Sequence, residues 1–330
     1  MIVVVGSLMM DLVVRTRRRP GRGETVFGSD FGMFLGGKGF NQAVAARRLG
    51  ATVALVGRVG DDDFGRALRA ALVREGIDDN GLAVDLETGT GVAMPVIEEE
   101  SGENSIISVP RANMQLTPAD VERCGAAIDR SAALLLQLEV PVEASLAAAQ
   151  LARRAGARVL LNTAPAGAVP AGGTGSEAPD RRGLGNRSGS PIANELLAAA
   201  DVLVANETEA AALTGQSVAT VEEAVGVAAR LRVRSEQTVV ITLGESGAVL
   251  VNADGALHRP AYAVPVRDTT GAGDAFCGAF AVRLVETGDV GEALAWGNAA
   301  GGCAVGVPGA EPSLPARASV AALLASASSP

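Results

Sequence analysis

The sequence predicts an α/β fold: a three-layer α/β/α domain with a mostly parallel central sheet and a small second β-sheet. Three observations carry this expectation. Short β-branched runs alternate with longer Ala/Leu-rich stretches, the pattern of a parallel sheet covered by helices. A length of 330 residues with 48% hydrophobic content is ample for one large core, so a single domain over residues 1–330 is expected. Two turn-rich stretches, 13–34 and 91–110, break the alternation and read as strands of their own.

Taken in order, residues 3–5, 52–56, 133–138, 159–162, 202–205 and 239–242 read as buried strands, because each is a short apolar run of the kind a sheet covered on both faces requires. Residues 41–49, 64–75, 142–155, 217–231 and 275–284 read as helices. Right-handed crossovers between such elements place ligands beyond the carboxyl ends of the strands. Glu139, Asn162, Asn206 and Gly244 each follow a strand end directly. Residues 167–191 are dominated by Gly, Ser, Pro and Arg and read as a flexible surface insertion. The Ala/Ser-rich tail after Arg317 reads as a terminal helix that frays. His258 follows the turn signal Asp254-Gly255, so a surface hairpin is expected there.

Charge narrows the class of partner. Lys+Arg 28 against Asp+Glu 37 gives −9, a poor balance for a nucleic-acid binder. No run approaches the roughly 20 apolar residues of a membrane span, and the opening Met1-Ile2-Val3-Val4-Val5 lacks the basic flank of a signal peptide. Cys124, Cys277 and Cys303 have apolar neighbours and no metal-ligand spacing, as expected of buried thiols in the cytoplasm.

The chemistry concentrates in two glycine-rich motifs. Asp268-Thr269-Thr270-Gly271-Ala272-Gly273-Asp274 stands directly before an apolar helix. Such a turn presents the N–H groups of Gly271, Ala272 and Gly273 at a helix N-terminus, where the dipole favours phosphate or a developing anion. At the same edge Asp274 is placed to take a proton from a hydroxyl. An anion hole beside a base is the equipment for phosphoryl transfer to an alcohol, although a glycine turn with a capping acid has the same pattern. The second motif, Gly36-Gly37-Lys38-Gly39-Phe40-Asn41-Gln42, also opens an apolar helix and holds the only lysine of the chain. Lysine is a compact point charge that approaches a phosphate, or steadies a loop, where a guanidinium is too bulky. Neither a P-loop G-x-x-x-x-G-K-[ST] nor a complete G-x-G-x-x-G occurs, which argues against P-loop and dinucleotide-binding proteins.

Together these motifs resemble the two signatures of the PfkB/ribokinase family of sugar kinases. Gly6-Ser7 with Asp11, Gln137-Leu138-Glu139, residues 162–166, Asn206-Glu207-Thr208-Glu209 and Thr242-Leu243-Gly244 look like further family motifs in the expected order, up to about Ser313. The resemblance implies that Met9, Asp11, Gly37, Lys38, Gly39, Asn41 and Glu139 contact a sugar and that Asp274 is the base. It implies that Asn206 and Glu209 organise Mg²⁺ and water around the phosphates of ATP, while Thr242, Gly244, Gly247, Gly273 and Asn298 hold the nucleotide. A monovalent cation, usually K⁺, is implied between Asp268 and Thr270 on one side and Ala304, Val307, Gly309 and Ser313 on the other. The two strand-rich stretches become a lid over the sugar, often a homodimer interface in the family.

The expected activity is transfer of the γ-phosphate of ATP to the primary hydroxyl of a sugar, D-ribose first. Another sugar, a ketodeoxy acid or a nucleoside is the alternative within the class, and a non-catalytic sugar- or nucleotide-sensing protein the alternative outside it. Three positions depart from the usual family pattern: Met9 stands where asparagine is frequent, Phe40 where a small residue is common, and Arg111 where glycine is usual. Phe40 is expected to reshape the pocket. Arg111 is either a solvated residue at the lid edge or a cation facing the sugar.

Overall fold

In the computed structural model, described over residues 1–100, 104–165 and 191–327, the chain forms two sheets. The larger contains nine strands: β1 (Ile2–Val5), β4 (Val53–Gly60), β5 (Asp78–Asp85), β8 (Ala133–Leu136), β9 (Arg158–Asn162), β10 (Val202–Asn206), β11 (Thr238–Thr242), β12 (Ala248–Asn252) and β13 (Gly255–Arg259). Their spatial order is β13-β12-β11-β10-β9-β8-β1-β4-β5, parallel from β5 to β11, with an antiparallel hairpin at one edge. The smaller sheet has the order β3-β2-β6-β7, from β2 (Met9–Thr16), β3 (Asp30–Gly36), β6 (Gly91–Glu98) and β7 (Asn104–Val109).

Twelve α-helices are present among the described residues: α1 (Lys38–Arg48), α2 (Asp63–Glu75), α3 (Pro118–Arg123), α4 (Gly125–Asp129), α5 (Val142–Ala155), α6 (Pro191–Ala199), α7 (Glu207–Thr214), α8 (Val221–Leu231), α9 (Ala272–Thr287), α10 (Val290–Ala304), α11 (Ala310–Ser313) and α12 (Arg317–Ala327). The layering follows from the two-residue period of the strands. Ile2 and Val4 enter one core with Phe40, Val44, Leu68 and Phe280, whereas Val3 and Val5 enter the other with Val121, Leu146 and Val227. Ala133 and Leu135 divide from Leu134 and Leu136 in the same way. Each fully buried Val or Leu contributes about 1.5–3 kcal/mol, so a strand with no exposed apolar side chain is a strong stabilising element.

The expected strands and helices are present, with boundaries shifted for local reasons. Gln137 and Leu138 lie beyond the end of β8, and β4 runs on to Gly60 beside β5, an edge strand that the sequence reading did not include. The helix expected from residue 217 begins at Val221, because Thr220 and Glu223 form a reciprocal capping box. His258 is exposed on the β12–β13 hairpin, its Nε2 2.8 Å from the carbonyl of Ser246. Of the three free thiols only Cys277 is fully buried; Cys124 and Cys303 are half-buried, a correction to the sequence expectation. The expected insertion over residues 167–191 lies outside the described residues, apart from Pro191 at the start of α6. The terminal helix is anchored: the Arg317 guanidinium sits 5.0 Å from the Trp296 ring centre and pairs with Glu286 at 2.6 Å. No helix among the described residues is long and apolar enough to cross a membrane.

Candidate active site

The chain reverses its direction of sheet growth at β1, adding β4 and β5 on one side and β8 to β11 on the other. A crevice forms at such a switch point beyond the strand ends, and the motif residues gather there. Gly6 and Ser7 follow β1, Gln137 and Glu139 follow β8, and Asn162, Asn206 and Thr242 end β9, β10 and β11.

Strand β2 contributes through its alternation. Met9, Asp11, Val13 and Arg15 point to one face of the small sheet, together with Asp30, Gly32 and Phe34 of β3. That face forms one wall of a cavity of about 520 Å³, whose other wall includes Lys38, Asn41, Glu139, Gly271 and Asp274. Asp11 therefore lies within a strand, and the acid that interrupts an apolar run is the inward-facing member of a pleat. Burial and the nearby Glu139 and Asp274 carboxylates push its pKa up to about 7, against the pull of Lys38.

Helix α1 starts on Gly37, whose φ is 89°; a Cβ there would stand 2.8 Å from the Met9 nitrogen and 2.9 Å from the Ser7 carbonyl. That close approach brings the helix N-terminus against the end of β1. No side chain of its own caps the helix; instead Glu139 accepts from the Lys38 N–H at 3.1 Å and from the Ser7 hydroxyl. Burial opposes the charge on Lys38, but Asp274, Glu139 and Glu209 outweigh it and hold its pKa above the ordinary lysine value.

Helix α9 starts after Gly271, a left-handed residue with φ 80°, and has no side-chain cap, so its N-terminal dipole is open to an anion. The Ala272 N–H, expected to face an anion, is directed to the Thr269 carbonyl at 3.3 Å. Asp274 is 6% exposed. Asn41 Nδ2 donates to its Oδ2 at 2.9 Å, and Gln42 Nε2 donates to its Oδ1 at 3.0 Å. Burial raises the Asp274 pKa above the usual aspartate value, while Lys38, Asn41 and Gln42 favour the carboxylate. The Asn41 Oδ1 is buried and has no partner in the protein, although Asn41 lines the cavity.

Beside this turn, Asp268 ties two loops, accepting from Thr270 N–H at 2.9 Å and from Gly309 N–H at 2.8 Å. The Ser313 hydroxyl donates toward the carbonyls of Thr270 and Ala310. Ala304 ends α10, and Val307 lies in the turn that follows. Asn206 and Glu209 cap the start of α7 reciprocally: Glu209 N–H donates to Asn206 Oδ1 at 2.8 Å, and Asn206 Nδ2 donates to Glu209 Oε1 at 2.9 Å. Gly244 and Gly247 bound a tight turn after β11, and Asn298 Nδ2 donates to the Arg259 carbonyl at 3.0 Å. Asn206, Glu209, Thr242, Gly244, Gly247 and Asn298 lie outside the cavity.

One expectation is corrected. Phe40 does not line the cavity; it is fully buried in the core beneath α1. Of the two readings of Arg111, the solvated residue at the lid edge is the one observed. It is exposed, has φ 47°, and donates from Nη1 to the Thr90 carbonyl at 3.2 Å, with its guanidinium against Gly89. The left-handed backbone explains why glycine suits this position. Arg111→Gly is expected to leave the ranking of sugars unchanged. It should shift stability by less than about 1 kcal/mol, since relief of roughly 1–2 kcal/mol of strain offsets a lost hydrogen bond and glycine's added chain entropy. A thermal melt and kcat/KM over several sugars check both. Sequence reasoning passed over Gln42 and Gln137 as site residues, although both stood inside motifs that it named.

The chain matches the model of the pfkB family of carbohydrate kinases over residues 1–174 and 185–317, and it belongs to that family. It is 35% identical over 316 residues to a ribokinase from Haemophilus influenzae, an alignment spanning 96% of this chain and 95% of that one. It is 38% identical over 285 residues to a ribokinase from Mus musculus, spanning 86% and 81%. The fold superposes on Arabidopsis thaliana ribokinase complexed with ribose and ATP with a TM-score of 0.80, at 32% identity and 98% coverage of both chains.

Proposed function

We propose that this protein is an ATP-dependent ribose kinase that forms D-ribose 5-phosphate. The observation that carries the reading is Asp274: a buried carboxylate, held by two amides, at the uncapped N-terminus of α9 and on the wall of the cavity. The sugar lies between the small sheet and α1, with Asp11, Asn41 and Glu139 available to its hydroxyls. The unpartnered Asn41 Oδ1 accepts one of them, which removes the cost of leaving a buried acceptor bare. Asp274 takes the proton of the primary hydroxyl, whose oxygen attacks the γ-phosphorus in line. The new O–P bond forms as the bond to the β-phosphate oxygen breaks, and the α9 dipole and exposed N–H groups stabilise the transferring group.

The nucleotide lies across the ends of β10 and β11, against Asn206, Thr242, Gly244, Gly247 and Asn298. Among the described residues no group of three or more His, Cys, Asp or Glu side chains is arranged to hold a metal directly. Asn206 and Glu209 would order the water around a Mg²⁺ ion through their spare lone pairs, and the ion would supply charge neutralisation at the phosphates. Asp268 and the carbonyls around Thr270, Ala304, Val307, Gly309 and Ser313 suit a weakly hydrated cation such as K⁺, which would fix the Asp268–Gly271 turn. The outward face of the small sheet exposes Phe31, Met33, Met94, Ile107 and Val109, an apolar surface suited to pairing with a second copy. We place the enzyme in the cytoplasm, where its free thiols stay reduced.

Coupled ADP release over pentoses, hexoses, sugar acids and nucleosides, with and without K⁺, tests this reading. Ribose should be preferred and K⁺ should stimulate; no ADP release with any sugar would overturn it. The raised Asp11 pKa adds a pH dependence. Above about 7 Asp11 is a carboxylate that accepts sugar hydroxyls, and below it the group is protonated and loses acceptor strength. The KM for ribose should therefore rise as the pH falls from 8 to 6, and Asp11→Asn should flatten that trend while raising KM throughout.

A further inference from the structure

Behind Asp274 stands a chain of buried amides that the phosphoryl-transfer reading does not use. Gln42 is 1% exposed and Gln137 is fully buried, and neither lines the cavity. Gln137 Nε2 donates to Gln42 Oε1 at 2.7 Å, and Gln42 Nε2 donates to Asp274 Oδ1 at 3.0 Å and toward Asn162 Oδ1 at 3.3 Å. Asn162 is tied in turn to the Val204 carbonyl at 3.1 Å. We infer that Gln42, oriented by Gln137, is a positioning residue that holds the catalytic base from the protein interior in its proton-accepting state and rotamer.

A carboxylate only accepts, so Gln42 must turn its NH₂ group to Asp274. Its Oε1 then faces Gln137, which must answer with its own NH₂. Reversing Gln42 sets acceptor against acceptor at Asp274 and donor against donor at Gln137, and reversing Gln137 sets its oxygen against Gln42 Oε1, with no solvent to compensate. The contacts along the chain are therefore met in one orientation, which terminates in a donor aimed at the base; the Gln137 Oε1 itself is buried without a protein partner. Asn41 and Gln42 are consecutive on α1, and they divide the carboxylate between them. Asn41 meets Oδ2 and lines the cavity, so it is shared with substrate. Gln42 meets Oδ1 out of reach of substrate, so it acts only through Asp274. A donor to a carboxylate favours its charged form, and its loss raises the pH at which the base becomes active.

This inference rests on Asp274 being the base of a working sugar kinase, so wild-type ADP release with ribose is measured first; its absence would remove that reading and not merely the role of Gln42. With the wild type active, Gln42→Leu is expected to lower kcat about 10- to 100-fold and leave the KM for ribose within twofold. It should also move the acid limb of the kcat–pH profile upward by about one unit, so that raising the pH recovers part of the rate. Gln137→Met, which keeps Gln42 but frees its amide to turn, should show the same pattern at smaller amplitude. It decides the matter if Gln42→Leu does not fold. In the Asp274→Asn background, removing Gln42 should cost nothing further. A kcat loss with an unmoved acid limb, a proportional rise in KM, or full additivity with Asp274→Asn would each overturn the proposal.

Discussion

Asp274→Asn is expected to abolish ribose phosphorylation while leaving the fold and nucleotide affinity nearly unchanged. An amide keeps the shape of the side chain but cannot take the hydroxyl proton, and loss of a general base costs about 10²–10⁴ in rate. The structure adds a second reason. Asn41 and Gln42 both donate to the carboxylate, so the NH₂ of an introduced asparagine must oppose one of those donors. The residual activity should therefore fall toward the lower end of that range, because the site is misaligned as well as deprived of its base. Asn206, Thr242, Gly244 and Gly247 sit on β10, β11 and the turns beyond them, and Asn298 on α10, so on the proposed placement of the nucleotide ATP affinity should change by less than about twofold. Coupled ADP release and calorimetric titration with nucleotide check the two halves. Turnover close to wild type would sink the assignment of Asp274 as base.

The fold was legible in the sequence because a parallel sheet covered on both sides writes itself as short apolar runs between helices. Val3, Val4 and Val5 are all fully buried, as that pattern demands. The edge strand β5 was not legible: its residues Asp78-Asp79-Asn80-Gly81 are polar because only one neighbour and one core cover it. The site was legible where chemistry needs a residue type in a fixed local frame, as in the glycine turn before Asp274. It was illegible where function depends on partners far apart in the chain. Gln42 and Gln137 are neutral amides 95 residues apart, and nothing in their local sequence says that one points at the other. Phe40 misled for the opposite reason. It stands beside motif residues, but the helical twist turns it into the core, whereas a left-handed backbone turns Arg111 outward, as one of its two readings had it.

Lys38→Met is expected to lower kcat/KM about 10²-fold or more, and Lys38→Arg to recover little of it. A cation in the first turn of a helix opposes the dipole, and α1 already places Arg47 and Arg48 at its favourable end. Lys38 is therefore not there to stabilise the helix. Its ammonium is surrounded instead by Asp274, Glu139 and Glu209, whose attraction exceeds the cost of burial. Removing the charge leaves the acids Asp11, Glu139 and Asp274 on the walls of one cavity without their cation. Their mutual repulsion then favours protonation, so the acid limb of the rate profile should rise in the methionine variant. Arginine restores the charge and should return that limb toward its wild-type position. Its guanidinium is wider than an ammonium and does not fit the frame set by Gly37 and Glu139, so kcat should stay low. The pair of variants thus separates charge from shape. A methionine variant with wild-type kcat/KM and an unmoved acid limb would show that the only lysine of this chain has no part in the reaction.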